Sequence, residues 1–499
     1  MAFRRSGVGR ALSCYKFNTN FSESVFFATF AVVKTQNKVK NTPREGEVPR
    51  TGRRMNREIM RLALPAVVSN VTVPLLGLTD TAVSGHLGSS TYIGAIAVGS
   101  LMLNVAFWLF GFLRMGTTGL VADAFGARDC RRIRRLLTMS LCVGLLFGLL
   151  FILLRAPLSD LLLSVLAPGS NVDALARSYF NVCVFGAPAL LGTMSVNGWF
   201  VGMQSTVRAM TVSITTNVIN ILLSVWFVFG TGIGFIGVAY GTLCAQWFGL
   251  LFALAMAWPL FRRYRPARDA ETKSTYPRGL KADFKRFFGV NVNLFFRSAC
   301  VMAVSMTITS VGSRLGDVTL AANAVMMQFF IFFSYFMDGF AFAGEALVGR
   351  SKGSGDNALY RLSVKWLLIW SAVMGTIFFT VYAIAATDIA SLITDDRAVI
   401  AHVSRYRLWL VLIPVLTVMA FIFDGFFIGL TRTGSMLAVT LTATAVFFAI
   451  CFVPVGGSYL PSNGRLWSAF LTYLFLRGLL LAIRLPHNLP ARSTDESSK

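Results

Sequence analysis

The chain has 499 residues, of which 55% are hydrophobic, and its mean hydropathy is +0.65, which excludes an ordinary soluble protein and indicates a polytopic membrane protein. Its formal net charge is +24, from 46 basic and 22 acidic residues. Because the basic residues lie mostly in short loops between apolar segments, this charge indicates membrane topology rather than nucleic-acid binding. Three histidines, and seven cysteines without a CxxC pair, argue against a metal centre or a disulfide framework, and we expect no enzyme active site.

Residues 1–56 differ from the rest of the chain, because they are basic and their longest apolar run, 25–33, is too short to span a bilayer. We interpret this extension as an upstream misread, with translation beginning at Met55. A disordered basic tail on anionic lipid and a targeting segment are the alternatives.

The rest of the chain predicts an all-α integral membrane fold, since twelve apolar segments are long enough to cross a bilayer. The predicted spans are 59–86, 92–124, 136–154, 174–203, 209–230, 235–260, 285–312, 318–348, 363–386, 398–430, 434–456 and 465–484.

The loops predict the orientation of these spans. The loop after the second span, GARDCRRIRR, and the linker 261–284 are rich in arginine and lysine, whereas alternate loops such as GTGIG carry almost no charge. Basic loops face the cytoplasm, so we expect both termini there and a location in the cytoplasmic (inner) membrane.

The sequence contains an internal duplication. Adding one constant to the residue numbers of the first half, the difference between 197 and 424, aligns it with the second half, and we call this constant the repeat shift. It places NGWFVGM (197–203) on DGFFIGL (424–430) and GARD (126–129) on GSGD (353–356). Each half holds six spans, an even number, so the halves form a parallel repeat about an axis along the membrane normal. We predict two six-helix lobes, an N-lobe at 57–260 and a C-lobe at 285–485, joined by the linker 261–284 and followed by a tail at 486–499.

The first predicted span carries a single charge, Asp80. A carboxylate inside a membrane span is costly and is a functional-site candidate, here a titrating group in a translocation cavity. The alternative is that Asp80 lies near a helix end and reaches water. Pro65 and Pro74 precede it and invite a kink, and Gly77 falls on the same face.

The second half carries more charge within its spans. Asp338 and Glu345 lie seven residues apart, on one face of the eighth span, and Asp424 lies in the tenth. Arg297 lies in the seventh span and needs a carboxylate partner, because an isolated buried charge is far costlier than a paired one. We predict that Arg297 pairs with Asp338 or Asp424, either as a fixed lock or as a gate.

Uncharged polar residues mark the first half. Asn197 lies in the fourth predicted span, and Asn220 and Ser224 lie one turn apart in the fifth. These side chains either line a cavity or bond neighbouring helices. Asp123, at the end of the second span, is interpreted as shaping the following loop.

At these residues the chain resembles the multidrug and toxic compound extrusion (MATE) family, in particular its DinF-like branch. The segments that carry the resemblance are LALPAVVSNVTVPLLGLTDTAVSGHLG, AIAVGSLMLNVAFWLFGFLRMGTTGL, NGWFVGMQ, NVINILLSVWFVFG, YFMDGFAFAGEALVGR and FDGFFIGLTRT, spread over about 57–485. The resemblance implies a cation-coupled antiporter that exports drugs, organic cations or toxic metabolites.

Several residues match positions that the family uses. The first-span carboxylate of the DinF-like branch falls on Asp80, which implies a role in proton coupling, and pocket neighbours fall on Tyr179, Asn197 and Asn220. A second acid of some members falls on Ser224, so that part of the family pattern is absent.

The resemblance also bears on the coupling ion. Arg297 occupies the neighbourhood of a glutamate that helps to bind sodium in the NorM-like branch, although Asp424 matches that branch's tenth-span acid. We therefore expect protons to be coupled, with sodium as the alternative and a lipid or lipid-linked-precursor flippase as a second alternative. We expect small organic cations and the bilayer as partners, no nucleic acid, no bound cofactor and a monomer.

Overall fold

The computed structural model describes residues 51–85, 90–166, 169–264, 280–453 and 461–489, and the regular elements among them are all helices. Within the first helix, and at residue 90, some side chains are outside this description, including that of Asp80. Most of the predicted extension, the middle of the linker and the end of the tail likewise lie outside the described residues.

The described residues form twelve long helices, as the sequence predicts. The first, α1, is a 34-residue helix that remains helical through both of its prolines. The other eleven are long and apolar enough to cross a membrane. The bounds are α1 Gly52–Gly85, α2 Thr91–Gly126, α3 Cys130–Leu153, α4 Ser170–Gly202, α5 Thr206–Gly230, α6 Ile236–Arg263, α7 Leu280–Arg314, α8 Asp317–Ser354, α9 Asn357–Ile393, α10 Arg407–Gly429, α11 Thr433–Phe452 and α12 Asn463–Arg484.

The helices depart from the predicted spans mainly at their ends. The longest, α8 and α9, have 38 and 37 residues and extend beyond the apolar segments, because helical backbone hydrogen bonding continues through the polar residues at their ends. A short helix at Arg155–Leu166 was not predicted. The predicted tenth span divides into a separate helix, Arg397–Arg405, and α10. Asp396 caps the start of the short helix, and the break lies at Tyr406, whose backbone departs from helical geometry.

The internal repeat is visible in how equivalent helices pack. Gly198 of α4 lies so close to α2 that a Cβ atom there would be 2.5 Å from the carbonyl oxygen of Arg114. Gly425 of α10, its equivalent under the repeat shift, stands in the same relation to Ala341 of α8, also at 2.5 Å. Ala341 is itself the equivalent of Arg114, so the repeat shift relates helix contacts as well as sequence positions. This confirms the parallel repeat.

The two lobes touch each other at the C-terminal ends of α2 and α8, which we call the basic end of the molecule. A Cβ atom at Gly126 would overlap the carbonyl oxygen of Arg350, and one at Gly353 would overlap that of Asp123. These contacts are reciprocal, since the repeat shift carries positions 126 and 123 onto 353 and 350. Reciprocal contacts are characteristic of a two-fold axis, here a pseudo-two-fold axis between α2 and α8.

The close approach at the basic end predicts that it will not tolerate a methyl group. Gly353→Ala should destabilise the protein by about 1–3 kcal/mol, because the new Cβ collides with backbone that cannot retreat without separating α2 from α8. Thermal unfolding in detergent measures this. The control is Gly289→Ala in α7, where a Cβ atom meets nothing within 4 Å. Equal stability of the two variants would contradict the tight contact.

Candidate functional site

Two hydrogen bonds fix how α1 lies against α5. Thr206 donates from its hydroxyl to the carbonyl oxygen of Arg61 at 3.3 Å, and Asn217 donates from its amide nitrogen to the hydroxyl of Thr72 at 3.1 Å. Both pairs are separated by 145 residues, so the two helices run side by side in a constant register.

This register places Asp80 on α1 at the level of residue 225 on α5, next to Ser224, although the side chain of Asp80 is outside the described residues. Ser224 donates to the amide oxygen of Asn220 at 3.2 Å, and Asn220 donates to Thr242 of α6 at 3.4 Å. Ser224 and Asn220 are buried. They therefore connect α5 and α6 as packing residues at the same level of the N-lobe as Asp80.

The other two predicted N-lobe residues, Tyr179 and Asn197, lie far apart on α4. Eighteen residues separate them, or about 27 Å of helix, so the structure does not bring their side chains together. Tyr179 is buried and its ring packs near Phe235, with a centroid distance of 6.3 Å. The amide oxygen of Asn197 is buried without a hydrogen-bond partner, which makes it an open acceptor in the lobe interior.

In the C-lobe, Arg297 of α7 forms an ion pair with Asp424 of α10, one of the two predicted partners. Arg477 of α12 binds the same carboxylate oxygen at 2.5 Å and also donates to the hydroxyl of Tyr473 at 3.4 Å. All three charged residues are at most 8% exposed. Asp424 thus balances one of two buried guanidinium groups and connects three helices of the lobe.

Glu345 of α8 is paired across the lobe boundary. Arg114 of α2 approaches its two carboxylate oxygens at 3.2 and 3.5 Å. The same guanidinium lies over the ring of Phe342, 3.9 Å from the centroid. This forked arrangement of an arginine and a carboxylate is stronger and more directional than a single charged contact.

Asp338 completes the charged residues that the sequence identifies in the C-lobe. It is partly exposed and forms no hydrogen bond or ion pair with any other residue in the described part of the chain. Since Glu345 and Asp424 are both paired with arginine, Asp338 is the carboxylate of this group that retains its capacity to bind a cation.

Arg114 and Arg477 are the two arginines of these ion pairs that were not identified from the sequence. Each is a lone arginine in an apolar stretch, LFGFLRMGTT and TYLFLRGLL, as Arg297 is in NVNLFFRSACV. The rule that predicted a partner for Arg297 applies to both. Among the described residues, no three His, Cys, Asp or Glu side chains are grouped so that they could hold a metal ion.

A second group of charges lies between the lobes at the basic end. Asp123 of α2 is fully buried and pairs with Arg132 of α3 at 3.2 Å and with Arg286 of α7 at 3.3 Å. Asp283 of α7 pairs with Arg135 at 2.5 Å and with Arg132 at 3.5 Å. We call these five residues the basic-end cluster. Asp123 therefore does more than shape a loop, because it belongs to ion pairs that connect the two lobes.

The C-lobe charges make a clear prediction about stability. Asp424→Asn leaves two buried guanidinium groups without their carboxylate, and it should cost about 3–5 kcal/mol of stability. Arg477→Gln should cost less, because Arg297 still neutralises Asp424. Thermal unfolding of the purified variants measures both, with the exposed carboxylate variant Asp160→Asn as control. If Asp424→Asn were as stable as Asp160→Asn, the proposed charge balance would be wrong.

Comparison with known proteins agrees with this architecture. The MatE family model matches residues 65–226 and 294–453, one segment in each half of the chain. A solved MATE transporter in its bent conformation superimposes with a TM-score of 0.74 at 18% identity, covering 89% of this chain and 97% of that one.

Two relatives align over most of the sequence. DNA damage-inducible protein F of Escherichia coli K12 is 35% identical over 435 residues, which cover 86% of this chain and 91% of the relative. A probable multidrug resistance protein NorM of Acinetobacter baylyi is 24% identical over 441 residues, which cover 87% and 96%. The family model, the close bacterial relative and the shared fold together establish that the chain belongs to the MATE family of multidrug and toxin efflux transporters.

Proposed function

We propose that the protein exports small organic cations across the cytoplasmic membrane in exchange for protons, by alternating access between its two lobes. The observation that carries this proposal is the contact between the lobes at the basic end, where the ion pairs of the basic-end cluster and the glycine contacts of α2 and α8 hold the lobes together. Opening this end requires these pairs to break while the lobes rock about their pseudo-two-fold axis, which is the motion of transporters built from repeats. The arginine-rich loops support placing the basic end in the cytoplasm.

The proton is assigned to Asp80. Its helix runs in register with α5, so position 80 lies at the level of the buried polar residues Asn220 and Ser224. A proton neutralises the carboxylate and removes its attraction for a substrate cation. Competition of proton and substrate for one site is sufficient for exchange.

Protons are favoured over sodium because of the surroundings of Asp424. A sodium ion is bound by several oxygen ligands, and positive charges close to those ligands weaken its binding. Asp424 instead contacts two guanidinium groups, those of Arg297 and Arg477, which repel a cation.

Export of drugs or toxic compounds is supported by the name of the Acinetobacter relative, a probable multidrug resistance protein. Transport of a lipid or a lipid-linked precursor is the second candidate. It is favoured by one observation, that Arg297 and Arg477 share the single carboxylate of Asp424, which leaves one positive charge between the helices to attract an anionic head group.

Purified protein in liposomes loaded with a fluorescent cationic dye tests the proposal. A pH gradient should drive dye efflux by the wild-type protein, and Asp80→Asn should reduce that efflux at least about tenfold, as expected for loss of a coupling free energy. The control is Asp160→Asn, whose carboxylate is 64% exposed and should be dispensable.

Each alternative has its own outcome in the same experiment. Efflux driven by a sodium gradient and unaffected by Asp80→Asn would contradict proton coupling through the first lobe. Movement of a fluorescent lipid analogue, with no efflux of the cationic dye, would favour the flippase.

A second prediction concerns the basic-end cluster. Asp283→Asn removes the α7 carboxylate that pairs with Arg132 and Arg135 of α3. It should therefore increase the fraction of molecules in which the lobes are apart at this end. Spin labels on cysteines introduced at the exposed residues Arg131 and Lys285 report the separation by pulsed electron resonance. A distance distribution unchanged by Asp283→Asn would show that the ion pairs do not hold this end closed.

A further inference from the structure

The contacts of Arg114 with α8 suggest a function beyond packing. Asp338, Phe342 and Glu345 lie along one face of α8, at spacings of four and three residues. The guanidinium of Arg114 lies over Phe342, the middle residue, and contacts Glu345. Arg114 is a residue of the N-lobe and is paired with one of the two carboxylates on this face of α8, while the other, that of Asp338, has no ion pair among the described residues.

Asp338 differs from Glu345 in its surroundings. Its partial exposure and its lack of an ion pair distinguish it from Glu345, which is 1% exposed and paired. The groups that act on Asp338 electrostatically are Arg114 of α2, Arg297 of α7, Glu345 on its own helix and Asp424 of α10. Tyr335, one turn before it on α8, is a further titratable neighbour.

We propose that Asp338 binds the organic cation or the proton in the C-lobe, and that Arg114 is the positioning residue that links this binding to contact between the lobes. The inference rests on the proposed exchange of cations for protons and assigns it a second carboxylate. A cation at Asp338 is repelled by Arg114 as long as α2 and α8 are together. Separation of the two helices withdraws Arg114 and strengthens the site.

The linkage is reciprocal. Because the lobes approach each other through α2 and α8, an arrangement that brings Arg114 to Glu345 weakens cation binding at Asp338, and a cation bound at Asp338 disfavours that arrangement. A proton acts like the organic cation in this respect, since it neutralises the same carboxylate.

Binding of tetraphenylphosphonium to the purified full-length protein, measured by equilibrium dialysis over a range of pH, tests this linkage through a double-mutant cycle. Asp338→Asn should weaken binding and flatten its pH dependence. Arg114→Gln should tighten binding about tenfold and raise the pH at which protons displace the probe. In the Asp338→Asn background, Arg114→Gln should have no further effect. Arg114 weakens binding only by repelling the cation at the carboxylate of Asp338, and that carboxylate is absent.

Matched variants separate this account from a general effect of charge or folding. Arg177→Gln removes an arginine that is paired with Asp160 at the surface, and it should change nothing in either background. If Arg114→Gln does not fold because Glu345 is left unpaired, the cycle is repeated with Arg114→Gln combined with Glu345→Gln. That pair should change binding only when Asp338 is present, as Arg114→Gln alone is expected to do.

The inference is overturned if Asp338→Asn binds the probe like the wild type, or if Arg114→Gln has the same effect with and without Asp338. Dye efflux measured on the same preparations distinguishes the two proposals. Wild-type efflux driven by pH together with an additive cycle would overturn this inference alone. A coupled cycle without efflux would overturn the proposed exchange and leave the Asp338 site standing, and a wild type that does not bind the probe would overturn both.

Discussion

A charge buried between membrane helices must be neutralised by a partner, and this requirement determines how the two lobes are held together. In the described residues, Asp424 balances guanidinium groups from two other helices of its lobe, and Glu345 takes its counter-charge from the opposite lobe. At the basic end, buried Asp123 also depends on a charge from the opposite lobe, that of Arg286. The ion pairs that cross between the lobes, Arg114 with Glu345 and Arg286 with Asp123, are therefore the ones that must break when the lobes move apart.

The repeat explains why this arrangement is asymmetric. Asn197 and Asp424 are equivalent positions under the repeat shift, yet one is an amide with an unpartnered oxygen and the other is a carboxylate between two arginines. Arg297 is equivalent to Asn70, which bonds to a backbone oxygen of α8. The duplicated scaffold thus keeps its packing while one lobe holds uncharged polar groups and the other holds ion pairs. Such a division gives the two lobes different responses to a proton or a cation.

Much of the fold is predictable from the sequence, because long apolar runs leave few alternatives to membrane helices and because the repeat relates the halves. The helix ends are not predictable in this way, since α8 and α9 continue through charged residues beyond the apolar segments. The partner of Arg297 could be narrowed to two acids by charge balance alone. The choice of Asp424 depends on how α7 and α10 approach each other, and the pairing of Arg114 with Glu345 depends on contact between lobes, which local sequence does not contain.

In the proposed exchange, proton entry and cation exit are one process. The most direct measurement records the two fluxes in parallel, with a pH indicator in the lumen of one liposome preparation and a cationic dye in a matched one, so that the ratio of the two fluxes is obtained. Exchange predicts that protons cross only while the organic cation is present on the opposite side, and at a fixed ratio to it. Cation efflux without accompanying proton movement would contradict the claim.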